Sequence, residues 1–150
     1  MYPKEVQQRA IVNQRLCFNL SYFYSPIVEA VILPMFFDYQ RSERGMKKVL
    51  QGLVAFEEYL KRIGKRFVAG DNLTIADIAL VCAVSNLEAI EYNLNKFPLI
   101  EKWYANFKSD YPELWVIGES SMKEMAFSEN NTPDLSGMVH PIHPMKKLTE

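Results

Sequence analysis

The chain has 150 residues, 49% of them hydrophobic and 23% charged, enough to bury one real core and too apolar to stay disordered. Seventeen basic and 18 acidic residues leave a net charge of −1, which gives no electrostatic reason to bind nucleic acid. No run reaches about 18 apolar residues, so no membrane span is expected, and the polar N-terminus MYPKEVQQRA lacks the apolar centre of a signal peptide.

The predicted elements are all helices. Pro3 suits a first helical position, and a helix can run from there to about Tyr24. Its apolar positions Val6, Ala10, Ile11, Leu16, Phe18 and Leu20 spread around the axis, as in a helix buried on several sides. Pro26 is expected to kink or end it, and Pro34 to stop it nearby. FFDYQRSERG reads as a turn with Ser42 as N-cap.

A second helix spans about 43 to 63. Met46, Val49, Leu50, Leu53, Phe56, Leu60 and Ile63 recur at spacings of three and four, and Gly64 caps its end. A third runs from about 75 to 92, apolar all round at IALVCAV. Pro98 opens a fourth, to about 109, with Leu99, Trp103 and Phe107 on one face, and Pro112 stops it. A short fifth lies between about 113 and 127, weakened by Gly118. From Ser128 onward, three prolines and a glycine without helical period read as an irregular tail. The expected fold is all-α, about five helices packed around the third.

Asp77 sits just inside the most apolar helix. With Thr74 as N-cap, Asp77 is the third helical residue, and Thr-x-x-Asp forms a capping box in which each side chain bonds the other's N–H. Leu73 and Ile78 can close a hydrophobic staple around it, and the charge lies at the positive end of the helix dipole. The carboxylate is thus explained without catalysis, since no His, Lys or second acid accompanies it.

FVAGDNLTIADIALVCAVSNLEAIEYNLNKFPLIEKWYANFKSDYP closely resembles the C-terminal domain of cytosolic glutathione transferases. YPKEVQQRAIVNQRLCF looks like the first helix of that domain in the insect delta and epsilon classes. The resemblance covers roughly residues 2 to 115 and continues weakly to Phe127. It implies a helical bundle over 1–127, with a tail over 128–150. In such enzymes a thioredoxin-like N-terminal domain binds glutathione and supplies the catalytic Ser, Tyr or Cys. This chain shows no βαβ pattern, so that domain is expected to be absent from it.

The resemblance further implies that the first helix lines a pocket for a hydrophobic electrophilic small molecule. Residues 17, 20, 21, 24 and 28 share one face by three-and-four spacing. Cys17, Leu20, Ser21 and Tyr24 are therefore the candidate substrate-binding residues; relatives usually carry an aromatic where Cys17 stands. No catalytic, cofactor-binding or metal-binding residue is assigned. Glutathione is the co-substrate of the complete enzyme, which the resemblance implies is a cytoplasmic homodimer acting in detoxification. Without the missing half, the first helix should expose an apolar face that drives association. The alternative is a stand-alone helical module that binds a protein or ligand without catalysis.

Other candidates read as structural. Cys17 and Cys82 lack a partner His and are expected to be buried, inert thiols. His140 and His143, in HPIHP, have no adjacent acid or Cys to complete a metal site. The aromatic residues Phe18, Tyr22, Phe23, Tyr24, Phe36 and Phe37 suit core packing and pocket lining, since no basic stripe accompanies them.

Overall fold

The computed structural model describes residues 1–37 and 40–134. Five helices form one bundle: α1 (Val6–Phe37), α2 (Glu43–Ile63), α3 (Ile75–Ala89), α4 (Pro98–Asp110) and α5 (Pro112–Asn130). Among the described residues there is no strand, only an isolated bridge between Phe67 and Gly70.

Helix α1 departs most from expectation. It starts at Val6, because Glu5 caps it: its carboxylate accepts the N–H of Gln7 at 2.8 Å and of Gln8 at 2.6 Å. Those two N–H groups hold the Glu5 carboxyl below its usual range. The helix then runs past Tyr24 and both prolines to Phe37. The reason is two π-helical turns, Asn19–Phe23 and Val28–Ile32. In an α-helix, a proline ring clashes with the carbonyl four residues back. Those carbonyls belong to Tyr22 and Ala30, and each lies inside a π turn, where the wider winding relaxes the clash. The Ala30 carbonyl accepts from Arg41 Nε at 3.0 Å, so the group stranded by Pro34 is satisfied from the following turn. By length and composition α1 would pass for a membrane span. Its side chains Val12, Phe23, Ile27, Val31 and Met35 are fully buried in the bundle, whereas Val6 and Leu20, expected to face the core, are exposed.

Helix α2 follows its pattern except at Leu50, which turns outward and is exposed. Ser42 Oγ accepts the Gly45 N–H at 3.0 Å, Val49, Leu53, Phe56 and Leu60 face the core, and Gly64 closes the end at φ 56°. Two glycines let α1 approach α2. A Cβ on Gly52 would lie 2.7 Å from the Phe23 ring, and one on Gly45 would lie 2.9 Å from the Ala30 Cβ.

Helix α3 is the central element. Ala76, Leu80, Val81, Ala83, Val84 and Leu87 bury more than one face, and α3 packs on α1, α4 and α5. It ends at Ala89, before the expected 92, because the chain turns left-handed at Glu91 (φ 53°). The capping box at Thr74 and Asp77 is present. Asp77 does more than cap. Fully buried, its Oδ2 accepts the Thr74 N–H at 2.8 Å and the Thr74 hydroxyl at 2.7 Å. Its Oδ1 accepts the Val68 N–H at 2.8 Å and the Trp103 indole N–H at 3.0 Å. One carboxylate therefore ties the loop before α3, the start of α3 and the middle of α4 together.

Pro98 opens α4 at its first position, and the first free N–H groups, of Leu99 and Ile100, are capped from α2 by Glu57, each at 3.0 Å. Trp103 and Phe107 are buried as expected; Ile100 and Tyr104 join them, while Leu99 is only half-buried. Pro112 both ends α4 and opens α5. Helix α5 continues unbroken through Gly118 to Asn130, so Ser128–Asn130 are helical and not tail. No residue of α5 is fully buried. It lies on the bundle by a half-buried stripe of Leu114, Trp115, Met122, Met125 and Ala126. Lys108 Nζ stands 4.2 Å over both the Tyr104 and Trp115 rings, and Arg41 grips Glu129 with two bonds of 2.8 and 2.7 Å.

Candidate functional site

Two grooves receive three of the four candidate residues. The first lies between α1 and α2. Cys17 and Ser21 line it, with Gln14, Phe18, Tyr22, Ala55 and Tyr59, around about 460 Å³. Its wall is mainly apolar and carries one internal polar contact, Gln14 Nε2 donating to the Tyr59 hydroxyl at 3.0 Å; behind it the Arg15 guanidinium lies 4.2 Å from the Tyr59 ring centre. Burial pushes the Arg15 pKa down. Its Nε donates to the Val68 carbonyl at 3.0 Å, and it also bonds Gln14.

The second groove lies between the C-terminal half of α1, α3 and α5. Tyr24, Ile32 and Phe36 of α1, Val81 and Cys82 of α3, and Gly118 and Met125 of α5 wall about 260 Å³. Its polar neighbours on α3 are already engaged. Ser85 Oγ and Asn86 Nδ2 both donate to the Cys82 carbonyl, at 2.9 and 2.6 Å. The groove thus offers apolar contact, a phenol and the Ser121 hydroxyl, with no carboxylate, histidine or lysine in its lining.

The single face expected for Cys17, Leu20, Ser21 and Tyr24 is split. Cys17 and Ser21 go to the first groove and Tyr24 to the second. Leu20 lines neither and is 70% exposed. Val28, on the same expected face, is half-buried. The cause is the π turn at Asn19–Phe23. Its extra residue rotates everything downstream by roughly 100°, so a count at 3.6 residues per turn no longer holds across it. Ile32, Cys82 and Met125 were not among the candidates, and Phe36 was named only as an aromatic suited to core packing or pocket lining. The Ile32–Phe36 spacing of four was the available signal, but the helix was expected to stop before it.

Both thiols correct the expectation of burial. Cys17 and Cys82 are exposed at the surface. Partial enclosure by its neighbours still raises the Cys82 thiol pKa. Among the described residues, no group of three or more His, Cys, Asp or Glu is placed to hold a metal. His140 and His143 lie outside the described residues.

Comparison with known proteins places these features in context. Residues 23–110 match the family model described as the glutathione S-transferase C-terminal domain. The chain is 34% identical over 115 residues to glutathione S-transferase D6 of Drosophila melanogaster, covering 75% of this chain and 51% of that protein. It thus spans about half the length of the curated relative it matches. Among solved structures, it is similar to a diazinon-metabolizing glutathione S-transferase of the silkworm Bombyx mori. That match has 44% identity and a TM-score of 0.76, over 83% of this chain and 58% of that one. A delta-class glutathione transferase of Nilaparvata lugens matches at 34% identity and a TM-score of 0.75, over 85% of this chain and 61% of that one. An epsilon-class enzyme of the housefly, Musca domestica, matches at 30% identity and a TM-score of 0.71, over 86% and 61% of the two chains.

Proposed function

The chain belongs to the glutathione S-transferase C-terminal domain family, and from that premise we propose that it is the hydrophobic-substrate-binding helical half of a glutathione transferase of the insect delta or epsilon type. One observation carries this reading. The groove at Tyr24 is walled mainly by Ile32, Phe36, Val81, Cys82 and Met125; of its polar lining residues, Ser85 and Asn86 already donate to the Cys82 carbonyl, which leaves the Ser121 hydroxyl. Such a groove favours an apolar molecule and has nothing to activate it.

The chemistry of the complete enzyme is attack of a glutathione thiolate on an electrophilic carbon. Glutathione is a co-substrate, and the donor that lowers its thiol pKa belongs to a thioredoxin-like half. This chain contributes proximity: it holds the electrophile where the thiolate can reach it. Leu20, Tyr22, Leu50 and Val54 are exposed on α1 and α2, apolar surface suited to contact with another domain or a second copy. We assign the complete enzyme a homodimeric, cytoplasmic, detoxifying role on the same grounds.

The test is binding of an uncharged apolar dye, Nile red, displaced by an aryl halide. Tyr24→Ala and Phe36→Ala are expected to weaken both ligands, and Cys17→Ser to leave them unchanged. Loss of binding in Cys17→Ser, with Tyr24→Ala behaving as the parent chain, would move the site to the other groove and refute this assignment.

A further inference from the structure

A third cleft, between the end of α2 and the first half of α4, differs in character from both grooves. It encloses about 490 Å³. Lys61, Lys65, Arg66 and Lys102 line it, and no carboxylate does. This is unusual in a chain whose net charge is −1.

Two of the four cations are balanced at the rim: Lys65 by Asp71 at 3.0 Å, and Arg66 by Asp110 in a bidentate pair of 2.7 Å bonds. Lys61 and Lys102 form no ion pair among the described residues. Two of the nearby carboxylates have other primary partners, although Glu58 still feels the Lys61 charge. Glu57 caps the N–H groups of Leu99 and Ile100, and Glu58 holds Arg62 at 2.8 Å.

Helix electrostatics explain only one of the two. Lys61 lies in the last turn of α2, where a cation offsets the dipole. Lys102 is the fifth residue of α4, past the first turn in which the dipole acts, so it gains nothing from it. Leu60, Leu99 and Trp103 also line the cleft and make up its apolar floor, and Asn106 adds an amide.

We propose that this cleft binds a small phosphate monoester. The dianionic group sits between Lys61 and Lys102, and its organic part rests on Leu60 and Leu99. Two unpaired ammonium groups on facing helices match a doubly charged oxyanion, each as a strongly hydrated point charge. The apolar floor adds contact that a bare ion cannot use. The site is separate from the Tyr24 groove and shares no lining residue with it, so the inference does not depend on the proposed transferase role.

The test is calorimetric titration of the whole chain with phenyl phosphate, inorganic phosphate and phenol. Phenyl phosphate is expected to saturate one site, to bind more tightly than inorganic phosphate and to weaken as salt is raised; phenol is expected not to bind. Lys61→Gln and Lys102→Gln should each weaken phenyl phosphate roughly tenfold, the scale of one charge-assisted hydrogen bond. Lys47→Gln, exposed on α2 outside the cleft, should not. All three lysines are exposed, so folding is not at stake. Absence of saturable binding overturns the proposal, as does full affinity in Lys102→Gln or equal affinity for phenol. Equal affinity for inorganic phosphate removes the apolar floor from it.

Discussion

Trp103 donates its indole N–H to Asp77 at 3.0 Å, joining the middle of α4 to the first turn of α3 inside the core. Both residues are buried, Asp77 completely. Replacing Asp77 by Ala would strand the N–H groups of Val68, Thr74 and Trp103 together. The expected loss is at least about 3 kcal/mol, since each stranded buried donor costs about 1–3 kcal/mol. Trp103→Phe removes one donor and keeps a ring, so its cost from this bond is about 1–2 kcal/mol. Urea unfolding of both variants checks the order; an Asp77→Ala chain as stable as its parent would show that the carboxylate is only a local cap.

Gly52→Ala tests the close approach of α1 and α2. Alanine should gain about 1 kcal/mol of helix propensity. Against that, its Cβ would lie 2.7 Å from the ring of Phe23, which is fully buried and has nowhere to retreat. We expect net destabilisation of about 1–3 kcal/mol, the range for overpacking. A lower urea midpoint supports this; a raised one would mean that Phe23 repacks freely.

The alkaline limb of stability should carry the mark of Tyr104. Its pKa is raised far above the ordinary tyrosine value, first by burial and then by its 2.7 Å bond to Glu88. Because the folded pKa lies above the unfolded one, this contribution is complete below about pH 10 and is lost as pH rises beyond it, where only the unfolded state ionises. Tyr104→Phe should therefore flatten the decline above about pH 10. Unfolding midpoints of parent and variant across that range measure it, and an unchanged slope would contradict the assignment.

Cys82 is exposed yet has a raised thiol pKa, so at neutral pH it holds less thiolate than a free cysteine. In a Cys17→Ser chain, iodoacetamide should react more slowly with Cys82 than with a cysteine peptide, and the gap should narrow as pH increases. Mass mapping over time reads both. A faster reaction at Cys82 would mean an activated thiol in the Tyr24 groove.

Several features were legible from residue type and spacing because their causes are local. Ser42, Gly64, Thr74, Pro98 and Pro112 mark helix ends, and each does so in the fold. The stripe of α2 is an ordinary 3.6-residue period. What escaped has non-local causes. Pro26 and Pro34 read as stops, because nothing in the pattern announces the π turns that accommodate them. The same turns broke the face count that grouped Cys17 with Tyr24. The Asp77 cap could be deduced four residues at a time, but its bonds to Val68 and Trp103 cross nine and 26 residues of chain. The thiols were expected inside because cysteine is apolar; the packing of α5 leaves Cys82 at a groove wall instead.

The most direct measurement is the rate of glutathione conjugation to an aryl halide by the 150-residue chain. It would be taken alone and then fused behind the thioredoxin-like half of a delta-class insect transferase. The account predicts no turnover above the uncatalysed rate for the chain alone, and turnover in the fusion that falls on Tyr24→Ala. Turnover by the chain alone would contradict it, because the activating group would then lie within these helices.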